Sequence, residues 1–526
     1  MPPNDAPHPS ESAATEVEAL KAIEGATDVL AVVAAMREYP RFEILQYRAC
    51  QLLSILTGGD AEKMSRARNA GAFEAVVLAM QTHAFSEAVQ GQACLALFNL
   101  NTGADVENGF RAGKAGAVER VVAALLRHLG CASVQEKASP ALYNMTCKNA
   151  ANLIRAKNAG AIEALVAVLR KHATNQGVQV SSIKTLMNMT GYFCTMEHRT
   201  RAINAGAIEV LVAAMTGFLE SGEVQTLACR GLQNLTAEIE EHRIRAGNAG
   251  AIEALVAAQR RHPSSETVQE MACGCLSALT SGMGNAINKT RAWNAGAFRA
   301  VVAAMRNHLG CESLLVCGTE ALCNMSSGNV ANSARAGDAG AVEAVVAAML
   351  RHGGCEKLQE VGCIALGHLA KGSAENMSRV KQAGVVEAVE TAWHRHATSE
   401  DVQPQARGAL FTLGKIYLTG LEANVPVVGA FETDVPLGVK LLKAIADPDD
   451  DFTSVSLARD LLLAFDNAKS CRGCGSINAR KRCIGCWDAD RTKVRYCSGA
   501  CQLMHWKHPS GACHKDECGS RAAPLG

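Results

Sequence analysis

Between Cys471 and Cys518 the chain reads CRGC, eight residues, CIGC, ten residues, CSGAC and finally HKDEC. Two Cys-x2-Cys knuckles, a Cys-x3-Cys and a His-x3-Cys supply eight candidate metal ligands: Cys471, Cys474, Cys483, Cys486, Cys497, Cys501, His514 and Cys518. Thiolates and an imidazole in sets of four suit tetrahedral zinc, and a closed set leaves no open position for catalysis. Eight ligands fill two structural ions. Residues 469–520 are too few to bury much core, so two Zn2+ ions are the expected source of their stability.

The residues that carry this cluster follow a long, alanine-rich stretch. Hydrophobic residues are 48% of the chain and aromatics only 4%, a mix that favours close-packed helices over strands. The net charge of +1 hides an asymmetry. Residues 471–526 hold ten Lys/Arg against four Asp/Glu, and the remainder is mildly acidic. That tail is compatible with an anionic partner, although a solvated face explains it equally simply. The opening MPPNDAPHPSESAATE has no apolar h-region, and no apolar run is long enough to span a membrane. With 21 cysteines, thirteen of them scattered ahead of residue 471, the expectation is reduced, buried thiols in an intracellular protein, cytoplasmic or nuclear.

Most of the chain is one pattern. Asn-Ala-Gly-Ala, or a close variant, recurs with its glycine at Gly25, Gly71, Gly116, Gly160, Gly206, Gly250, Gly296, Gly340 and Gly384, at spacings of 44 to 46 residues. A fixed period of this size signals a solenoid. After Gly160, the residues Ile162, Leu165, Val166 and Leu169 share one helical face. Val224, Ala228, Leu232 and Leu235 mark a longer helix. A short third helix precedes each glycine, which fits the left-handed stop between two helices. An arginine stands five residues before eight of these glycines: Arg66, Arg111, Arg155, Arg201, Arg245, Arg291, Arg335 and Arg379. Such regularity predicts a structural task, bonding helix-end carbonyls. Asn99, Asn144, Asn188, Asn234 and Asn324 end the long helices. Each amide is suited either to a local bond at its helix end or to an external backbone.

The glycine, the following Ala-Ile-x-x-Leu-Val helix and the closing Ala-Leu-x-Asn-Leu resemble the armadillo repeat. The resemblance covers residues 17–420 as about nine units, after a disordered tail at 1–16. It implies an all-α, right-handed armadillo-like α-solenoid superhelix, with capping helices in 421–468. It also implies that Asn99, Asn144, Asn188, Asn234 and Asn324 face a groove and bond the backbone of an extended peptide. Ile55, Ala278, His368 and Thr412 interrupt that ladder. The importin α-like version adds a tryptophan four residues earlier. Here those positions are Leu95, Pro140, Lys184, Arg230 and Glu320, so nuclear-import cargo is not expected. Lys184 and Arg230 form a small basic patch that fits an acidic peptide or a solvated face.

The order of Cys471, Cys474, Cys483, Cys486, Tyr496, Cys497, Ser498, Cys501, Gln502, Trp506, His514, Lys515 and Cys518 resembles the MYND-type zinc finger. In that family the ligands interleave. The resemblance therefore implies one zinc on Cys471, Cys474, Cys497 and Cys501, and another on Cys483, Cys486, His514 and Cys518. Spacing alone leaves a sequential arrangement open. Seven residues separate Trp506 from His514, where the family usually has two, and they include a rival pair, His508 and Cys513. The family's peptide contacts match Gln502 and Trp506, which implies docking of short proline-containing segments.

These readings converge on a protein–protein interaction scaffold, a small zinc-stabilised MYND-like module (469–520, with a tail at 521–526) following the repeats. Its expected partners are proteins or peptides. Nucleic acid, membrane and small-molecule substrates are not expected. The alternatives are a nucleic-acid-associated regulator acting through the basic module and a non-SET accessory subunit of an enzyme complex. The glycines fall one per repeat, and neither a phosphate-cradling loop nor a nucleophile elbow is present, so no enzymatic activity is expected.

Overall fold

The computed structural model describes residues 17–102, 106–191, 195–282, 285–328, 330–370, 374–419, 481–487 and 493–496. The chain divides into two units, Met1–Ala344 and Val345–Gly526.

The first unit opens with helices Val29–Glu38 and Glu43–Thr57, followed by six three-helix repeats from Ala61–Asn69 through Glu312–Ser326. One repeat is the short helix Ala150–Asn158, the middle helix Ala161–Lys171 and the long helix Gln176–Thr190. The middle helix buries Ile162, Leu165, Val166 and Leu169, and the long helix of the next repeat buries Val224, Ala228, Leu232 and Leu235. These are the faces that the apolar spacing predicts. Each such leucine or isoleucine contributes about 1.5–3 kcal/mol by leaving water. The second unit adds long helix Glu356–Leu369, then Ala374–Gln382, Val385–Arg395 and Val402–Thr419, and an antiparallel pair of strands, Lys481–Trp487 and Lys493–Tyr496.

Every corner glycine of the period has positive φ, from +71° at Gly25 to +94° at Gly206. A Cβ strains that conformation, which is why the period is visible as glycine. Ser86, Asn175, Ser221 and Ser265 start long helices by accepting a hydrogen bond from the backbone N–H three residues on, a cap worth about 1 kcal/mol.

The C-terminal ends of the helices are sealed by the next helix along. A helix leaves its last four carbonyls without internal partners. Gln179, in the first turn of its long helix, donates through Nε2 to Leu169 O at 2.8 Å and His172 O at 3.0 Å. Gln46, Gln90, Gln135, Gln225, Gln269, Gln359 and Gln403 repeat this pair of bonds. Leu315, fully buried, holds the corresponding place in the repeat Ala286–Ser326. Buried asparagines of the short helices seal the long-helix ends in the same way: Asn152 donates to Met145 O at 2.8 Å and Asn332 to Met325 O at 3.1 Å.

Histidines join one repeat to the one before. His83, His128, His172, His262 and His308 place Nε2 2.7–2.9 Å from the carbonyls of Pro40, Ala84, Leu129, Leu219 and Pro263. A carbonyl only accepts, so each ring carries a proton at Nε2.

The arginines five residues before the glycines are structural, but their partners differ from the expected carbonyls. Arg66, Arg155, Arg201 and Arg245 pair with Asp28, Glu119, Glu163 and Glu209 of the preceding repeat. Arg111 and Arg291 donate to the Asn69 and Asn248 amides. Helix-end carbonyls are taken by a different set. Arg37, Arg170, Arg260 and Arg306 donate to Gly71 O, Ala205 O, Ala295 O and Gly340 O. A carboxylate one repeat upstream outcompetes a neutral carbonyl for a guanidinium, because a charge-assisted bond is stronger.

The twelve cysteines described between Cys50 and Cys363 are free thiols. Cys50, Cys94 and Cys229 are fully buried, and burial pushes their thiols up to about 12. They are packing groups that do not ionise near neutral pH.

Candidate functional site

The five asparagines ending the long helices all lie half-buried, and each amide nitrogen reaches back one repeat. Asn99 Nδ2 donates to Ser54 O at 2.7 Å, Asn144 to Phe98 O at 3.3 Å and Asn234 to Met187 O at 3.4 Å. Asn324 donates to Ser277 O at 3.1 Å and Ser277 Oγ at 3.0 Å. Asn188 donates to Thr146 Oγ1 at 2.9 Å, whose own proton goes to Leu142 O. The bond is thus neither within the same helix end nor wholly free for an outside partner. A carbonyl acceptor fixes which end of the amide is nitrogen. The opposite oxygens of Asn99, Asn144, Asn234 and Asn324 accept no hydrogen bond from the described residues. Each is an acceptor held in place by its own NH2 group.

Around this ladder, Lys184 is exposed and its Nζ lies 5.4 Å from the centroid of the Tyr143 ring of the preceding repeat. Arg230 is exposed one repeat later, and Lys137 is half-buried one repeat earlier. None of these three pairs with a carboxylate of the described residues. Pro140 sits inside the long helix Ala132–Thr146. Ile55, at an interruption of the ladder, is 66% exposed.

The strand Lys481–Trp487 carries Cys483 and Cys486, and Lys481 faces Tyr496, the residue before Cys497. The other candidate ligands, Cys471, Cys474, Cys497, Cys501, His514 and Cys518, lie outside the described residues, as do Gln502, Trp506 and the rival His508 and Cys513. So do the expected capping helices of 421–468. The donor set itself, seven thiols and one imidazole, fits zinc. The hairpin register brings a Cys-x2-Cys strand alongside the chain that leads directly into Cys497.

A family model described as the LRRK2 ARM repeat matches residues 246–415. The repeats form an all-α, armadillo-like solenoid. No curated protein matches the chain by sequence. Among solved structures, an engineered protein superposes on this chain with a TM-score of 0.64 at 25% identity, over 83% of this chain and 98% of its own. A computationally designed armadillo repeat protein for modular peptide recognition has 26% identity and a TM-score of 0.42, covering 48% of this chain and 99% of its own. A designed armadillo repeat protein in complex with the peptide (KR)4 has 25% identity and a TM-score of 0.41, with the same coverage. Among the described residues no helix is long and apolar enough to cross a membrane.

Sequence reading missed the glutamine and histidine series. A polar residue inside an apolar helical stripe reads as a solvated position when one repeat is viewed alone. Its recurrence every 44 to 46 residues was the available signal.

Proposed function

We propose that this chain is a non-catalytic interaction scaffold whose armadillo repeats dock an extended peptide on the long-helix face. The observation that carries this is the set of amides whose nitrogens are fixed by the preceding repeat and whose oxygens are left to accept. Backbone N–H groups of an extended peptide are the natural donors, because they recur along a strand as the acceptors recur along the repeats. Lys137, Lys184 and Arg230 beside that face favour a peptide bearing acidic residues. A peptide-display selection on the full chain tests the reading. The selected peptides are expected to lose at least tenfold in affinity for the double variant Asn144→Leu/Asn234→Leu while its helical circular dichroism is retained. Equal binding by the variant would sink the groove assignment.

The C-terminal module is proposed as a two-zinc MYND-like docking piece. Cys471, Cys474, Cys497 and Cys501 would hold one ion, and Cys483, Cys486, His514 and Cys518 the other. Gln502 and Trp506 would contact a short proline-containing segment. Zinc counting on the purified chain is expected to give two ions. Chelation is expected to unfold the module and leave the helical signal intact, since the described repeats pack through buried apolar faces and side-chain hydrogen bonds. One ion per chain, or loss of the helices on chelation, would overturn the assignment.

A further inference from the structure

The carboxylates that pair with the periodic arginines stand three residues after a corner glycine. Asp28 meets Arg66 at 2.9 Å, Glu119 meets Arg155 at 3.0 Å, and Glu209 meets Arg245 at 2.9 Å. Glu163 meets Arg201 with both oxygens, at 2.5 and 3.1 Å. The Glu209 carboxylate also lies near an arginine of the repeat before. A Cβ built on Gly206 would stand 2.0 Å from Arg170 Nη2 and 3.4 Å from Glu209 Oε2. The corner at Gly206 is therefore Arg–Glu–Arg, with one net positive charge.

The corner at Gly296 departs from this. Arg260 occupies the place of Arg170, donating to Ala295 O at 2.9 Å, with its Nη2 2.7 Å from where a Cβ on Gly296 would be. Arg335 occupies the place of Arg245. It donates to Asn332 Oδ1 at 3.1 Å, and its guanidinium lies over the Trp293 ring, 4.7 Å from the centroid. The residue between them, three after the glycine, is Arg299. Arg299 is exposed, and no carboxylate of the described residues pairs with Arg260, Arg299 or Arg335.

We propose that the corner formed by Arg260, Arg299 and Arg335 is an oxyanion site for a phosphate monoester. Exchanging a carboxylate for a guanidinium raises the local charge by two units, and a phosphate monoester carries about −1.5 to −2 at neutral pH. It restores the charge of the Gly206 corner, which one carboxylate does not. Guanidinium forks match phosphate oxygens in pairs. Two of the three forks are already held, Arg260 by a backbone carbonyl and Arg335 by the indole face, which lowers the ordering cost of binding. Arg299 is the mobile third arm. The site lies on short and middle helices, so it is independent of the long-helix asparagines.

The test is calorimetric titration of the full chain at constant ionic strength with two probes. One is inorganic phosphate, and the other is a Gly/Ser nonapeptide with one phosphoserine, with its unphosphorylated form as control. Arg299→Glu, which rebuilds the arrangement at Gly206, is expected to weaken binding of either probe at least tenfold and to retain the helical signal. Should that variant fold poorly, Arg299→Gln is expected to lose binding as well. Glu209→Arg converts the Gly206 corner into three arginines and is expected to add a second phosphate site. A phosphopeptide bound at least tenfold tighter than phosphate identifies a phosphorylated partner residue as the source. Comparable affinities identify a small phosphate. Failure of both probes to bind the unaltered chain, or undiminished binding after Arg299→Glu, overturns the proposal.

Discussion

The repeats Met196–Thr236 and Ala286–Ser326 have short, middle and long helices of the same lengths, 10, 11 and 15 residues. Their corner glycines sit at φ of +94° and +80°, and both end in a long-helix asparagine, Asn234 and Asn324. Three of the polar positions at which they differ bear on how a repeat is sealed and paired. Gln225 in the first is Leu315 in the second, Glu209 is Arg299, and the buried His198 is the buried Asn288. The backbone of a repeat thus tolerates changes in the side chains that seal it, provided the corner and the apolar faces stay. The polar positions carry the individuality of each repeat.

The largest test of that contrast exchanges the sealing residue. Gln225 is fully buried and bonds Met215 O at 2.8 Å and Phe218 O at 2.9 Å. Gln225→Leu strips both carbonyls of their partner and is expected to cost about 2 kcal/mol. Leu315→Gln gains such bonds and loses apolar burial, so its net effect is expected to stay below about 1 kcal/mol. Urea unfolding of the two variants checks the asymmetry. Equal costs would mean that the glutamines are incidental to stability.

A smaller effect is expected at the corner. The Arg245–Glu209 pair is about 40% exposed on each side chain (39% and 43%), so Glu209→Arg is expected to destabilise by about 0.5 kcal/mol. The loss should shrink in molar salt, where exposed charges are screened. Thermal melts at low and high salt read this directly. A salt-independent loss would point to packing in place of charge.

The smallest effect is a slope against pH. Burial holds the His198 ring below the ordinary histidine pKa, with Lys157 and Arg201 acting in the same direction and Glu197 against it. The folded chain favours the neutral ring. Its contribution is therefore complete above the ordinary pKa of about 6.5 and is lost as pH falls through that value. His198→Asn, the residue type at Asn288, is expected to flatten the fall in melting temperature between pH 7 and pH 5. His242, lowered by burial as well, keeps the slope from vanishing. An unchanged slope would show that His198 is already charged or solvated when folded.

The corners were legible because a left-handed φ restricts the residue type, so geometry appears in the sequence as glycine. The apolar faces were legible because helical spacing is local. The arginine series was visible as a rhythm, but its partners were not: Arg201 meets Glu163, 38 residues earlier, and no local pattern links the two. The asparagines left two readings open in sequence for the same reason, since the carbonyl that holds Asn144 belongs to Phe98, 46 residues before it. Arg299 was hidden among ordinary surface arginines until its neighbours from two other repeats were in view.

The histidine bonds carry a consequence for how the chain assembles and yields. His83, His128, His172, His262 and His308 each reach 43 to 45 residues back, and the arginine and asparagine bonds span 34 to 47. Each loop to be closed is one repeat long, however many repeats follow. Folding can begin at any neighbouring pair and spread outward, as along a one-dimensional lattice. Pulled from its ends, such a chain should lengthen in steps of one repeat.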